Sequence, residues 1–438
     1  MIVKIALENW KSFRDRVEFS MVASSERQHG NRVPKVRKYR TRVLPIAAFY
    51  GGNASGKSNF FQALQFAKRL VVQRIDPDDA IPVEPFGLDA RWVELPSRFH
   101  FELLIDETIY EFSFAVTQRK VVEEKLVEIG ANTETVLYDR RDGKPNFDRT
   151  LVEDQRLQFV FEGTRENQLF LSNSVSQKVE QFQSIYDWFR KNLVLIGPDS
   201  RYAGMARLLD PEERLSSAVA EKLWELDTGI ARLGGEEIPL ETAPLLEKVR
   251  SELERLAEGK TVYLPYGPAE QLVVSRKAGK LAVQKVVAYH PKADGGEARF
   301  NLGQESDGTQ RVIDLLPAFL DLLDQDSKRV YVIDEVDRSL HTLLIRRLLE
   351  AYLAGCSTQS RKQLLLTTHD VLLMDQKLLR RDEMWVTERD AGGVSKLFSF
   401  SDYKDVRYDK DIRKSYLQGR LGGIPRILWK GALSDSCS

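Results

Sequence analysis

The chain is poor in cysteine and carries no excess of either charge. Of its 438 residues only Cys356 and Cys437 are cysteines, which excludes a disulfide framework or a cysteine-built metal cluster and fits a reducing compartment. Lys plus Arg number 65 and Asp plus Glu number 65, so global charge draws the protein to neither nucleic acid nor an anionic membrane, and any such binding must be local. A run of about 18 apolar residues, the minimum for a membrane-spanning helix, is missing. Met1-Ile2-Val3-Lys4-Ile5 enters strand alternation directly, without a signal-peptide pattern. The expectation is a cytoplasmic protein with no membrane partner. Neither an internal repeat nor a sustained heptad is found, which argues against a solenoid and against a long coiled-coil arm.

What is present reads as a folded chain. Hydrophobic residues at 42% and charged residues at 30% are ordinary globular values, and no segment is polar or repetitive enough to stay disordered. The length exceeds what one core usually supports, so one large domain with insertions, or two domains, is expected.

The N-terminal segment alternates as strands over Ile2 to Leu7 and Val17 to Val22, with an apolar run from Val43 to Tyr50. A basic stretch lies between, with Arg32, Lys35, Arg37, Lys38, Arg40 and Arg42. A solvated surface loop is its simpler reading and a nucleic-acid contact the sharper one. Asn59 to Val72 has helical spacing through Phe60, Leu64, Ala67 and Leu70, and Arg98 to Phe147 has the period of two of an antiparallel sheet. Residues 174–258 read as mostly short helices, residues 261–289 as strands, and residues 302–400 as the alternating helices and strands of a parallel α/β sheet. Three segments are expected: 1–170, an N-terminal lobe with an antiparallel β subdomain; 171–260, a compact helical insertion; and 261–438, a C-terminal lobe.

Gly51-Gly52-Asn53-Ala54-Ser55-Gly56-Lys57-Ser58 fits G-x-x-x-x-G-K-[ST] and sits between an apolar strand and an amphipathic helix. Backbone N–H groups of such a loop converge on phosphate oxygens at the positive end of the helix. Lys57 would reach the β- and γ-phosphates, and Ser58 would ligate Mg²⁺. Arg329 to Glu335 is an apolar strand ending in two acids, which is either a helix cap or a Walker B strand. In the second case Asp334 would hold Mg²⁺ and Glu335 would orient or deprotonate the attacking water. Leu364 to Thr368 is another apolar strand, ending at His369. A lone histidine is usually structural, but after a Walker B strand this is the place of a γ-phosphate sensor. Glu305-Ser306-Asp307-Gly308-Thr309-Gln310 precedes a Leu-rich helix and could grip phosphate at its N-terminus, or be ordinary turn and cap chemistry.

In this order the motifs resemble the soluble ABC-type ATPases, the group of chromosome-organising, RecF-like and overcoming-lysogenization-defect (OLD) proteins. Asn9-Trp10-Lys11-Ser12-Phe13 resembles the group's opening strand, and Glu305 to Gln310 resembles its LSGGQ signature with Asp307 in place of a glycine. Asp337-Arg338-Ser339-Leu340-His341 is similar to its D-loop in the OLD-like branch. Tyr416 to Pro425 resembles the ending of small RloA-type ATPases, found beside restriction and antiphage genes.

The resemblance implies an α/β, ABC-type P-loop ATPase head with a β lobe and a compact helical insertion, without a long coiled coil. It implies ATP and Mg²⁺ as cofactors. Lys11 and Ser12 would join Gly51, Asn53, Ala54, Ser55, Gly56, Lys57, Ser58 and Asn59 around the nucleotide. Glu335, His369 and Lys57 would be catalytic, and Ser58, Asp334 and a Q-loop glutamine, for which Gln177 is the candidate, would surround the metal. Ser306 and Gly308 would contact the γ-phosphate held by a second copy, so a homodimer closed by ATP is implied, with higher assembly left open. OLD-type relatives append a nuclease domain, but only about fifty residues follow Trp385, too few for an enzyme domain. The implied role is a slow or partner-regulated ATPase governing a separate effector, a nuclease by expectation, in antiphage defence. Alternatives are an ATP-gated DNA clamp in repair or recombination, supported by the basic stretch, and a transporter's ATPase subunit.

Overall fold

The computed structural model describes residues 1–141, 144–148, 151–202, 204–209, 213–239, 247–265, 271–403 and 412–423. Two compact units divide the chain. The first comprises Met1–Gly197, Gln325–Val336 and Leu353–Ser438; the second comprises Pro198–Asp324 and Asp337–Tyr352.

The first unit holds two large sheets. One is antiparallel and seven-stranded, ordered Lys144–Phe147, Glu134–Arg141, Val121–Ile129, Thr108–Val116, Ser97–Ile105, Ile2–Glu8, Val17–Ser20. The other is six-stranded, ordered Leu193–Ile196, Val330–Ile333, Gln363–Thr367, Ile46–Tyr50, Met384–Arg389, Ser395–Ser399. Its first five strands run parallel and the last antiparallel. Ile46–Tyr50, Val330–Ile333 and Gln363–Thr367 are buried along their whole length, as strands covered on both faces must be, which explains their mostly apolar sequences. Gln363, buried among them, is fully used: its amide donates to the carbonyls of Ile2 and Leu44 at 2.9 and 3.0 Å and accepts from the Ile2 N–H at 2.6 Å. That tie joins the two sheets. The core between them is aromatic, with Trp10, Phe66, Phe99 and Phe114 in successive ring contact.

The segment read as mostly helical also supplies strands. Leu193–Ile196 pairs in parallel with Val330–Ile333 in the six-stranded sheet, and Arg232–Glu237 pairs with Lys280–Pro291 in the second unit. Four apolar residues are too few to show a period, and the pair Gly234-Gly235 argues against a strand by propensity. The Tyr289 ring on the paired strand supplies the missing side-chain cover: a Cβ at Gly234 would lie 2.7 Å from it. The second unit holds a five-stranded antiparallel sheet, of which Arg232–Glu237 is one strand, and helices that include Arg214–Glu225 and Asp307–Leu323.

Part of the basic stretch is structural. Arg32 is buried and donates to Glu383 at 2.5 Å, so it is not available to nucleic acid. Lys35, Arg37, Lys38 and Arg40 are exposed, around the short hairpin of Lys35–Val36 and Thr41–Arg42. Tyr39 fastens that hairpin by donating to the Ile129 carbonyl at 2.6 Å.

Candidate functional site

Parallel strands deliver their C-terminal ends to one edge of a sheet, where α/β proteins bind ligands. In the six-stranded sheet that edge receives the loop after Tyr50, the acids after Ile333, the Thr368-His369 turn and Gly197. Register fixes the adjacency, since Thr367 lies beside Phe49 and Ile333 beside Leu366.

Gly51 to Gly56 form the loop between Ile46–Tyr50 and the helix Lys57–Val72. Gly56 caps that helix with φ +115°, and a Cβ there would lie 2.6 Å from Ser395 Oγ and 3.2 Å from the Phe13 ring. Only glycine fits. Asn53 and Ala54 are exposed at the loop tip, Ser58 is half-buried, and Ser55 and Lys57 are buried. The Lys57 ammonium donates to the Gly51 and Gly52 carbonyls at 2.8 and 3.1 Å. It is held at the mouth of the loop, where a triphosphate could exchange these carbonyls for phosphate oxygens.

The opening strand's turn reaches the same place. Asn59 donates to Ser12 Oγ at 2.7 Å, and the Trp10 indole donates to the Asn59 carbonyl at 2.8 Å. Lys11, with φ +49°, pairs with Glu84 at 2.9 Å. Two residues without a sequence signal complete the cradle. Ser395 Oγ donates to the Ser55 carbonyl and shares a hydroxyl hydrogen bond with Ser12 Oγ, each at 2.7 Å. Thr387 shares a hydroxyl hydrogen bond of 2.6 Å with Ser55. Both lie on the strand pair Met384–Arg389 and Ser395–Ser399, more than three hundred residues from the loop, and a serine or threonine in a strand announces nothing.

Asp334 is buried, and its Oδ1 accepts the Thr367 hydroxyl at 2.5 Å. The same Thr367 oxygen accepts the Glu335 N–H at 2.7 Å. One side chain therefore holds the Asp334 carboxylate and the Glu335 main chain. Glu335 sits at φ +50°, a conformation that costs a non-glycine residue about 1–3 kcal/mol and persists only where surroundings impose it. His369 is exposed at this edge, just after Thr368, whose N–H donates to the Phe49 carbonyl at 3.0 Å. Thr367 lies within the strand read as leading to His369, and only the fold shows that its hydroxyl meets Asp334 and Glu335.

Gln177 is not brought to this site. It lines a cavity of about 470 Å³ with Val71, Val72, Arg74 and Arg165, at the far end of the helix that Lys57 begins. At 1.5 Å per residue that is about 21 Å from the loop. Gln177 ends the short helix Phe170–Ser176, and its carbonyl accepts from Arg156 at 2.8 Å. The sequence pairing of Gln177 with Ser58 and Asp334 is therefore corrected.

The donor chemistry at the edge suits a nucleotide with Mg²⁺. Among the described residues no three His, Cys, Asp or Glu side chains converge as a metal cage. One hydroxyl, Ser58, and one buried carboxylate, Asp334, match a cation that takes most of its ligands from phosphate and water.

The second unit carries the signature-like segment and the D-loop. Ser306 caps the helix Asp307–Leu323, its Oγ accepting from the Thr309 N–H at 3.1 Å, and remains exposed. A Cβ on Gly308 would lie 2.7 Å from the Ser339 carbonyl, so the first turn of this helix and the D-loop are in direct backbone contact. Beside them a cavity of about 170 Å³ is lined by Asp199, Arg201, Arg311 and Arg338 among others. Arg201 pairs with Asp314 and Arg338 with Asp199, at 2.8 and 2.9 Å. Burial pushes the Asp314 carboxyl upward and the Arg311 guanidinium downward from their usual ranges. Asp307 places a carboxylate at the helix N-terminus, favourable for the helix but competing with any phosphate bound there.

A family model described as "AAA domain, putative AbiEii toxin, Type IV TA system" matches residues 46–375. No curated protein matches the chain. Among solved structures, "SMC head domain from Thermotoga maritima" is 16% identical, with 91% of this chain and 98% of that chain covered and a TM-score of 0.36. "Crystal structure of the SmcHead bound to the C-winged helix domain of ScpA" is 14% identical, with 91% and 97% covered and a TM-score of 0.39. The family match runs from the strand that feeds the P-loop to beyond His369 and so takes in both acids and the signature-like segment. The chain belongs to this AAA-domain family.

Proposed function

We propose that the protein binds and hydrolyses ATP between two copies of itself and uses the resulting switch to control a separate effector, by expectation a nuclease, in antiphage defence. The observation that supports this most is the shared Thr367 hydroxyl, which holds the Asp334 carboxylate and the Glu335 main chain together at the strand ends beside the Lys57 loop. Such an arrangement has a use in water attack on a phosphoanhydride and little use as a helix cap.

Lys57 and the loop N–H groups bind the triphosphate; Ser12 and Asn59 order the loop's flank. Ser58 and Asp334 would hold Mg²⁺, which supplies charge neutralisation on the phosphates. Glu335 takes the proton of the attacking water, and His369 hydrogen-bonds the transferred phosphoryl group. Ser306 and Gly308 of one copy complete the site of the other, their exposed helix N-terminus being a ready anion site. Asp307 weakens that grip, which fits slow or partner-stimulated turnover. ATP then joins the copies, and hydrolysis releases them.

Light scattering of a Glu335→Gln variant, which binds ATP without consuming it, tests this. A doubled mass with ATP and Mg²⁺ is the expected result; an unchanged mass at saturating nucleotide overturns the dimer.

One observation favours a second reading, an ATP-gated DNA clamp in repair or recombination. Lys35, Arg37, Lys38 and Arg40 stand exposed on the hairpin fastened by Tyr39. DNA binding that weakens steeply with salt and requires ATP would carry that reading, and no binding at low salt would end it.

A further inference from the structure

The C-terminal segment that ends the described chain has a role the proposed ATP cycle does not use. The helix Ile412–Leu417 is followed by a turn that lays its backbone against the strand Met384–Arg389. At its end the Gly423 carbonyl accepts the N–H of Gly52, the second residue of the P-loop, at 2.9 Å. The same carbonyl accepts the Tyr416 hydroxyl at 3.1 Å. Gly52 in turn offers its own carbonyl, with that of Gly51, to the Lys57 ammonium. A continuous path of hydrogen bonds thus runs from Tyr416 through Gly423 and Gly52 to Lys57.

The approach is as close as the backbone permits. A Cβ on Gly423, at φ +72°, would lie 2.4 Å from a Val386 methyl and 3.2 Å from the Tyr416 ring. Tyr416 is buried, and burial raises its phenol above the ordinary range, so it stays a neutral donor. The Tyr403 hydroxyl holds the same turn by donating to the Leu421 carbonyl at 2.8 Å.

We propose that Tyr416 and Gly423 are positioning residues for ATP: the Gly423 carbonyl, held by Tyr416, fixes the Gly52 peptide plane and so sets the pose in which the loop and Lys57 receive the triphosphate. The inference rests on the ATPase reading above. It places a determinant of ATP affinity outside the family-matched residues 46–375. The segment touches the mouth of the loop, through Gly52. Its path ends at the loop and the Lys57 ammonium that would grip the triphosphate, so it acts first on ATP capture.

The test is steady-state ATP hydrolysis and fluorescent-ATP binding by the full chain, as wild type, Tyr416→Phe and Gly423→Ala. Tyr416→Phe keeps the ring and removes only the hydroxyl. The expected result is a KM and ATP dissociation constant raised about two- to tenfold, the weight of one neutral hydrogen bond, with kcat at saturating ATP unchanged. Gly423→Ala should raise both constants further, and if it fails to fold, Tyr416→Phe decides alone. Wild-type KM in Tyr416→Phe, or a loss confined to kcat, overturns the proposal. A wild-type chain that binds no ATP overturns the ATPase reading and this inference together, and is told apart because the defect then precedes any substitution.

Discussion

At the scale of the residue, the site turns on Thr367. Its hydroxyl is donor to Asp334 and acceptor from Glu335, so replacing it with the isosteric valine leaves a buried carboxylate oxygen and a backbone N–H without that partner. Thr367→Val should cost about 1–3 kcal/mol of stability. It should lower kcat about ten- to a hundredfold, because the water-activating acid loses its fixed geometry. Calorimetry and steady-state kinetics read both, and wild-type kcat in the valine variant would remove Thr367 from the mechanism. The contrast with its neighbours explains what a sequence reveals at this scale. Lys57, Ser58 and Asp334 stand out in the sequence because the proposed phosphate and Mg²⁺ chemistry would demand those types at fixed offsets from a glycine loop or a strand end. Thr367, Thr387 and Ser395 do not, because any strand tolerates a hydroxyl and only the register shows what it touches. Gln177 misled for the converse reason: an amide after a short helix has the right type, and only the length of the helix Lys57–Val72 shows how far it lies from the loop.

At the scale of the element, the basic stretch divides into a clasp and a displayed hairpin. Arg32 enters a buried network on the turn Arg381–Glu383, where Glu383 accepts from Arg32 at 2.5 Å and from the Arg380 N–H at 2.8 Å. Asp382 accepts from the Arg380 guanidinium and from Ser24, and the Glu26 carboxylate accepts the Arg381 N–H. Burial dominates at Glu383 and lifts its carboxyl from 4.5 to about 7, with Asp382 adding to the rise and Arg32 and Arg380 opposing it. A carboxyl raised on folding binds more protons in the native state than in the unfolded one, so its contribution to stability is full below about pH 4.5 and fades as pH rises through about 7. Glu383→Gln removes that titration. Chemical denaturation of both proteins should show the wild type gaining stability relative to the variant on acidification from pH 8 to pH 5, and parallel curves would refute the assignment. None of this was legible beforehand, since a run of arginines looks alike whether it is solvated or clamped. The long elements were legible: much of the seven-stranded sheet is visible in the alternation from Arg98 to Phe147 and from Ile2 to Leu7, and the parallel strands are visible as apolar runs between turn residues. Leu193–Ile196 was hidden by its brevity and Arg232–Glu237 by its glycines.

At the scale of the whole molecule, the question is whether each site is completed within one chain or by a second. The P-loop and both acids lie in one compact unit and the signature-like segment with the D-loop in the other, which leaves both arrangements open to a direct test by complementation. Lys57→Ala loses the ammonium that faces the triphosphate but keeps an intact Ser306-Asp307-Gly308 segment. Gly308→Ala keeps the P-loop but drives a methyl to within 2.7 Å of the Ser339 carbonyl, forcing the helix N-terminus and the D-loop apart. Each variant alone should be inactive. If sites form between copies, an equal mixture regains activity, because the P-loop of the Gly308→Ala chain meets the signature of the Lys57→Ala chain. Random pairing sets the ceiling at about a quarter of the wild-type rate, half the dimers being mixed and each mixed dimer holding one whole site. If every site is built within its own chain, no pairing can repair either defect and the mixture stays at the sum of its parts. Activity should also depend on protein concentration in the first case, since dilution dissolves the dimer before it harms the fold. A restored rate that falls on dilution would carry the two-copy mechanism, and a silent mixture would return the chain to a monomeric ATPase whose partner supplies what a second copy does not.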